Sequence, residues 1–181
     1  MKNWIVGIGL AILLSVSGCE KHSHDHDEHK VPGTFILRLI PARGTDTITA
    51  QWNDPDGPGG NQPTVTELRL KGGLTYTGRL EILATDGDTL TSVIQAQGTE
   101  HQLFWSVTGA AQGVVQISVS DRDSRGMPLG LETSWQVQTV PAATPGNVRM
   151  ILYHYEPNKK DGISPSPETD ADITIPLQVI P

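Results

Sequence analysis

From Thr34 onward, apolar and polar residues alternate in short runs separated by Gly, Pro, Asp and Asn. These runs predict strands over 34–40, 47–53, 64–71, 75–84 and 89–95, then 102–108, 114–120, 133–140, 147–155 and 171–180. Ile48, Ala50 and Trp52 share one face, as do Leu103, Trp105 and Val107. Val115, Ile117 and Val119 form a third stripe, and Ile173, Ile175, Leu177 and Val179 a fourth. One apolar face per strand is the pattern of two antiparallel sheets packed face to face. No stretch after Val31 has a convincing helical period. The expectation is an all-β chain, an immunoglobulin-like or related antiparallel β-sandwich. The Cys-Trp-Cys signature of true immunoglobulin domains is absent, so the pattern specifies architecture and not topology.

The punctuation between runs refines this expectation. Asp86-Gly87 reads as a hairpin turn joining the runs on either side, and Gly72-Gly73 as another. The Pro-rich stretch 141–146 resembles a linker, but too few residues follow it for a second core. It is read as an inter-strand connection, and 157–168 as a polar loop.

The first residues belong to a different class. Lys2 precedes an apolar run from Trp4 to Val16, which is too short for an ordinary membrane span and ends in small residues. This is the layout of a secretory signal. Val16-Ser17-Gly18-Cys19 resembles the processing box of bacterial lipoproteins and contains the chain's one cysteine. The resemblance implies cleavage before Cys19, palmitate-type acylation there and stable anchoring through several acyl chains. Glu20 follows in place of the aspartate associated with inner-membrane retention, which favours the outer membrane. Periplasmic and surface-facing orientations both stay open. The domain plan is thus a lipoprotein signal peptide over 1–18, a lipidated tether over 19–30 and one sandwich over 31–181.

Composition then narrows the chemistry. The 181 residues include 13 Lys and Arg against 20 Asp and Glu, a formal charge of −7. That balance argues against nucleic acid as a partner. A single cysteine excludes an internal disulfide and a zinc site built from several thiolates. The tether reads EKHSHDHDEHK and holds four of the six histidines, His22, His24, His26 and His29. Imidazole and carboxylate both suit borderline divalent metals, and short His-rich tracts bind them. A solvated spacer has the same composition, and the two roles are compatible.

Two acidic loops and two histidines supply further ligands. Asp54 and Asp56 lie in DPDGPGGN, and Asp121 and Asp123 in DRDSRG. Such spacing can direct oxygens at calcium. However, Arg125 occupies a usual ligand position and no helices flank the second loop, while Asp and Gly also make ordinary turns. His101 and His154 are in core-facing parity at strand ends, and Asp170 and Asp172 precede the last run. His101, His154, Asp170 and the loop aspartates could form a divalent-metal site, with zinc or copper ahead of calcium. The competing reading is two histidines bonded to nearby backbone or carboxylates.

The lipoprotein box and histidine tether, with Asp54-Pro55-Asp56-Gly57, Glu100-His101-Gln102, Asp121-x-Asp123, Gly126-x-Pro128-x-Gly130 and Thr169-Asp170-x-Asp172, resemble a family of small Bacteroidota outer-membrane lipoproteins. Members often accompany TonB-dependent receptors, so the resemblance implies an accessory role in nutrient capture. This chain departs from the family at Tyr153-His154, where members carry Arg-His. No nucleophile elbow, metalloprotease helix or phosphate loop occurs, so the chain is read as non-enzymatic. The expected function is a lipid-anchored cell-envelope accessory protein that binds divalent metal beside an outer-membrane transporter. The alternative is a non-catalytic sandwich that binds a receptor protein or a glycan. Trp52, Trp105 and Trp135 have core-like parity and offer little to a glycan.

Overall fold

The computed structural model describes residues 30–156 and 159–181. The signal segment, Cys19 and the tether histidines lie outside the described residues. In chain order the elements are β1 (Pro32–Pro41), β2 (Ile48–Asn53), β3 (Thr64–Val65), β4 (Leu68–Lys71), β5 (Thr75–Ala84), α1 (Thr91–Ala96), β6 (His101–Gly109), β7 (Val115–Val119), β8 (Glu132–Val137), β9 (Thr144–His154) and β10 (Glu168–Ile180). They form a six-stranded sheet ordered β3-β2-β1-β5-β8-β7 and a four-stranded sheet ordered β4-β10-β9-β6. The fold is an all-β sandwich. Its pairings are antiparallel except that of β4 with β10, which is parallel.

The alternating stripes fill the space between the sheets. Phe35, Leu37 and Leu39 of β1 meet Ile173, Ile175, Leu177 and Val179 of β10 in one buried cluster. Trp135 is wholly buried, and its indole N–H donates to Thr133 Oγ1 at 2.7 Å. Trp105 stands edge-on to it, with centroids 5.8 Å apart, and donates to the Gly130 carbonyl. Both tryptophans therefore have their polar edge satisfied, as burial requires.

Three sequence expectations need correction. The run 89–95 is not a strand. After the Asp86-Gly87 turn and one isolated bridge between Leu83 and Thr89, the chain enters α1. Leu90 and Ile94, four apart, turn their side chains into the core, which is a helical spacing too short to register as a period. Gly72-Gly73 is not a hairpin either. It carries the chain from β4 in one sheet to β5 in the other, with Gly73 at φ 76°. The run 64–71 is likewise divided into β3 and β4, which lie in opposite sheets.

Antiparallel pairing fixes what gathers at one end of the sandwich. Pro32 pairs with Ala84, and Thr34 with Asn53. His101 pairs with His154, and His154 with Glu168. The ends of β2, β5, β7 and β9 therefore meet the starts of β1, β6, β8 and β10 at this one end, together with α1. Lys30, where the tether joins, is held here by the carboxylates of Asp86 and Asp88.

Candidate metal centre

His101 and His154 are buried, at 5% and 4% of their accessible surface. As directly paired residues of β6 and β9 they point to the same face, and their rings stack 4.8 Å apart at an angle of 5°. The turn after α1 determines the state of His101. Its Nδ1 lies 3.1 Å from the Gln97 carbonyl oxygen. A carbonyl only accepts, so Nδ1 carries the hydrogen and Nε2 of the neutral ring presents a lone pair. Burial pushes the His101 pKa below its ordinary value, against the opposing pull of the Gln97 carbonyl and Asp170, while His154 pushes the same way as burial.

Asp170 reaches this ring because of a β-bulge. Thr169 pairs with Tyr153 and Ala171 with Leu152, leaving Asp170 as the extra residue. Bulges redirect side chains in this way. Asp170 Oδ2 lies 3.6 Å from His101 Nε2. That exceeds a hydrogen bond and is close to the ~3.4 Å expected between two ligands of one tetrahedral zinc ion. An imidazole that donates its other N–H to a backbone carbonyl is the usual arrangement of a metal-bound histidine. The pair lines a pocket of about 340 Å³ whose other walls include Lys30, Val31, Leu90, Ile94 and Leu152.

The other strand-end candidates gather at the same end but serve different partners. Asp121 accepts the amides of Gly130 and Leu131 through its two oxygens. Asp123 accepts from the Arg125 and Met127 amides through Oδ1 and pairs with Lys160 through Oδ2, at 2.9 Å. The Lys160 and Asp123 side chains are fully covered, and Lys160 also donates to the Gly98 carbonyl. Burial works to raise the Asp123 pKa, but Lys160 and the two amides outweigh it and hold it below the usual range. This loop is stapled to its own backbone, an arrangement that leaves little for calcium.

In the other loop, burial and then Asp56 push the Asp54 carboxyl up, while the Asn61 backbone and side-chain amides hold Asp56 down. Asp172, expected before the last strand together with Asp170, lies within β10 and forms a two-point ion pair with Arg149.

Sequence reasoning did not single out Glu156, and quoted Glu100 only as part of a motif. Potential ligand atoms of Glu100, His154 and Glu156 all lie within 4.8 Å of one another. Glu168 Oε1 is 3.7 Å from His154 Nδ1. The missing signal was the cross-strand register, because Glu100 and Glu156 become neighbours only once His101 is opposite His154.

No protein-family model matches the chain, and the searches of curated proteins and of solved structures found no significant match.

Proposed function

We propose that this chain is a lipid-anchored cell-envelope protein that binds a divalent metal ion, zinc or copper, as an accessory to an outer-membrane transporter. One observation carries the metal reading: His101 spends its Nδ1–H on Gln97 and turns Nε2 toward Asp170 at 3.6 Å. A neutral nitrogen lone pair facing a carboxylate is stabilised by a shared cation, and imidazole with carboxylate selects a borderline divalent metal over calcium. The engaged oxygens of Asp121 and Asp123 support the same choice. The tether histidines His22, His24, His26 and His29 add ligands on the membrane side. Anchoring rests on the resemblance of Val16-Ser17-Gly18-Cys19 to a lipoprotein box, and the transporter partnership on the family resemblance, a TonB-dependent receptor being the expected neighbour.

Elemental analysis of the natively purified protein tests the metal reading. About one equivalent of zinc or copper is expected, reduced in His101→Ala. A metal-free protein that also fails to take up either ion on titration would end this reading.

A second reading, contact with a glycan or receptor, has one observation in its favour. Phe104 and Tyr153 lie half-buried on the face of the four-stranded sheet opposite the core, edge to face with centroids 5.3 Å apart.

A further inference from the structure

We infer that the pocket beside His101 and Asp170 takes its metal as a chelate: the ion is held together with a bidentate, singly anionic organic chelator whose flat hydrocarbon body lies against the apolar walls. The inference rests on the metal reading above and adds to it the substrate class of the same site.

Ligand number gives the first argument. Zinc in a protein site takes four ligands, and copper(II) favours a tetragonal set. On the pocket wall, His101 Nε2 and Asp170 Oδ2 lie 3.6 Å apart, the spacing of two neighbouring ligands. The Lys30 ammonium on the same wall is taken by the Asp86 and Asp88 carboxylates. Gln97 has committed its backbone carbonyl to His101 Nδ1, which leaves a neutral side-chain amide, a poor ligand for a borderline metal. Two adjacent positions on the ion therefore fall to a molecule from outside, and one bidentate chelator fills both.

The walls decide what kind of molecule this is. The pocket measures about 340 Å³, within the range of about 300–1,000 Å³ usual for small organic ligands. Two waters on the ion would fill only about 60 Å³ of such a space, at about 30 Å³ each. Pro32, Leu90, Ile94 and Leu152 form the apolar lining, together with Val31 and Val93. Val31 and Val93 are each 44% exposed, so two of the five large apolar side chains exposed among the described residues border this one pocket. Apolar surface left open around a metal-binding pair suits a hydrocarbon body better than hydration water.

Charge fixes the last property. A divalent ion, a neutral His101 and the Asp170 carboxylate sum to one positive charge. Stranding that charge among apolar side chains is costly. A chelator with one negative charge, binding through nitrogen and oxygen or through two oxygens, brings the assembly to neutrality. A neutral diamine or a dianion would leave charge behind. By linkage, chelator and ion then raise each other's affinity by the same factor.

Equilibrium dialysis of the detergent-solubilised full chain tests this with zinc and 8-hydroxyquinoline, which binds metal as a singly anionic nitrogen–oxygen chelator. Glycinate is the control, with the same donors and charge but no ring body. Metal is read by elemental analysis and chelator by mass spectrometry. The expected result is one 8-hydroxyquinoline retained per chain with zinc present, and at least about tenfold weaker retention both without zinc and for glycinate. V31S/V93S changes exposed wall residues only, so it should bind zinc as the wild type does and lose most of the affinity for 8-hydroxyquinoline. His101→Ala should retain no chelator. Zinc stripped from the protein by 8-hydroxyquinoline, equal retention of glycinate, unchanged retention in V31S/V93S, or chelator that stays on His101→Ala would each overturn the inference, while zinc bound without chelator keeps the metal reading. If the wild type takes up no zinc with or without chelator, both fail.

Discussion

His154 stacks on His101 across a single strand pair, in parallel and 4.8 Å from ring centre to ring centre, with both rings buried. Two imidazoles can pack this closely in a low-dielectric site only while they do not both carry charge. The groups acting on His101 are Gln97 through its carbonyl, the Asp170 and Glu100 carboxylates and His154 itself. Glu168 stands beside His154. His101 therefore opposes protonation through burial and the neighbouring His154, while the Gln97 carbonyl and the Asp170 and Glu100 carboxylates partly relieve it.

This predicts a loss of stability on mild acidification. The folded-state pKa of His101 lies below its value in the unfolded chain, so between the two the unfolded chain binds more protons. The stabilisation is complete above the unfolded value of about 6.5 and declines as pH falls below it toward the folded value. His101→Phe, which keeps a flat ring against His154, should flatten the profile between about pH 7 and 5. Chemical denaturation across that range in chelator-treated buffer measures it. An unchanged slope in the variant would assign the acid sensitivity elsewhere.

The ion pair of Lys160 and Asp123 anchors the β9–β10 loop against the turn after α1. Lys160→Met leaves a covered carboxylate with its two backbone donors but no cation, and such a break typically costs about 3–5 kcal/mol. The double variant K160M/D123L should be less destabilised than the sum of its single changes, because no uncompensated charge remains. Urea denaturation of all three variants gives the coupling directly. Strict additivity would mean that the pair is not a unit.

Much of the sandwich could be read from alternation, because a strand with one buried face has to place apolar residues two apart. The stripes 173–179 and 103–107 show this directly. Leu90 and Ile94 were misread because a single helical turn offers only one spacing to detect, and Val93 to Gln95 also suits a strand. The division of Thr64 to Lys71 between two sheets left no mark, since local pattern does not record which sheet a strand joins. His101 and His154 stood out as core-parity histidines at strand ends, but their stacking depends on register, which is a long-range property. Asp170 was placed one step outside its strand because a bulge obeys neither period. The acidic loops looked like ligand loops for the same reason that they make good turns: carboxylates spaced this way capture amide hydrogens as readily as cations.

Close packing at Gly78 gives a test of the fold itself. A Cβ built there would lie 2.4 Å from Thr133 Oγ1 and 2.7 Å from Trp135 Nε1, the two atoms joined by the buried hydrogen bond of β8. Gly78→Ala therefore has to displace an indole that has no room to move, and overpacking of this kind costs about 1–3 kcal/mol. Thermal melting should show the loss, together with a changed tryptophan emission as the Trp135 environment shifts. A variant as stable as the parent would mean that β5 and β8 are less tightly apposed than described.

The acidic loop and the histidine wall should separate cleanly in their response to metal. Both Asp121 oxygens are engaged by the Gly130 and Leu131 amides, and the loop containing Asp123 closes on its own backbone. Asp121→Asn keeps one acceptor and loses the other, so it should destabilise the domain by about 1–2 kcal/mol. It should leave the rise in melting temperature produced by added zinc unchanged. His101→Ala should do the reverse with respect to metal, removing the zinc-induced rise whatever its effect on basal stability. Calcium should raise the melting point of neither variant, because hard-oxygen coordination in the acidic loop requires the Asp121 and Asp123 oxygens, which the fold has already committed. Differential scanning calorimetry of the full chain with zinc, calcium or chelator measures all of these responses. A zinc effect that vanished in Asp121→Asn and persisted in His101→Ala would transfer the metal site from the β6–β9 wall to the acidic loop.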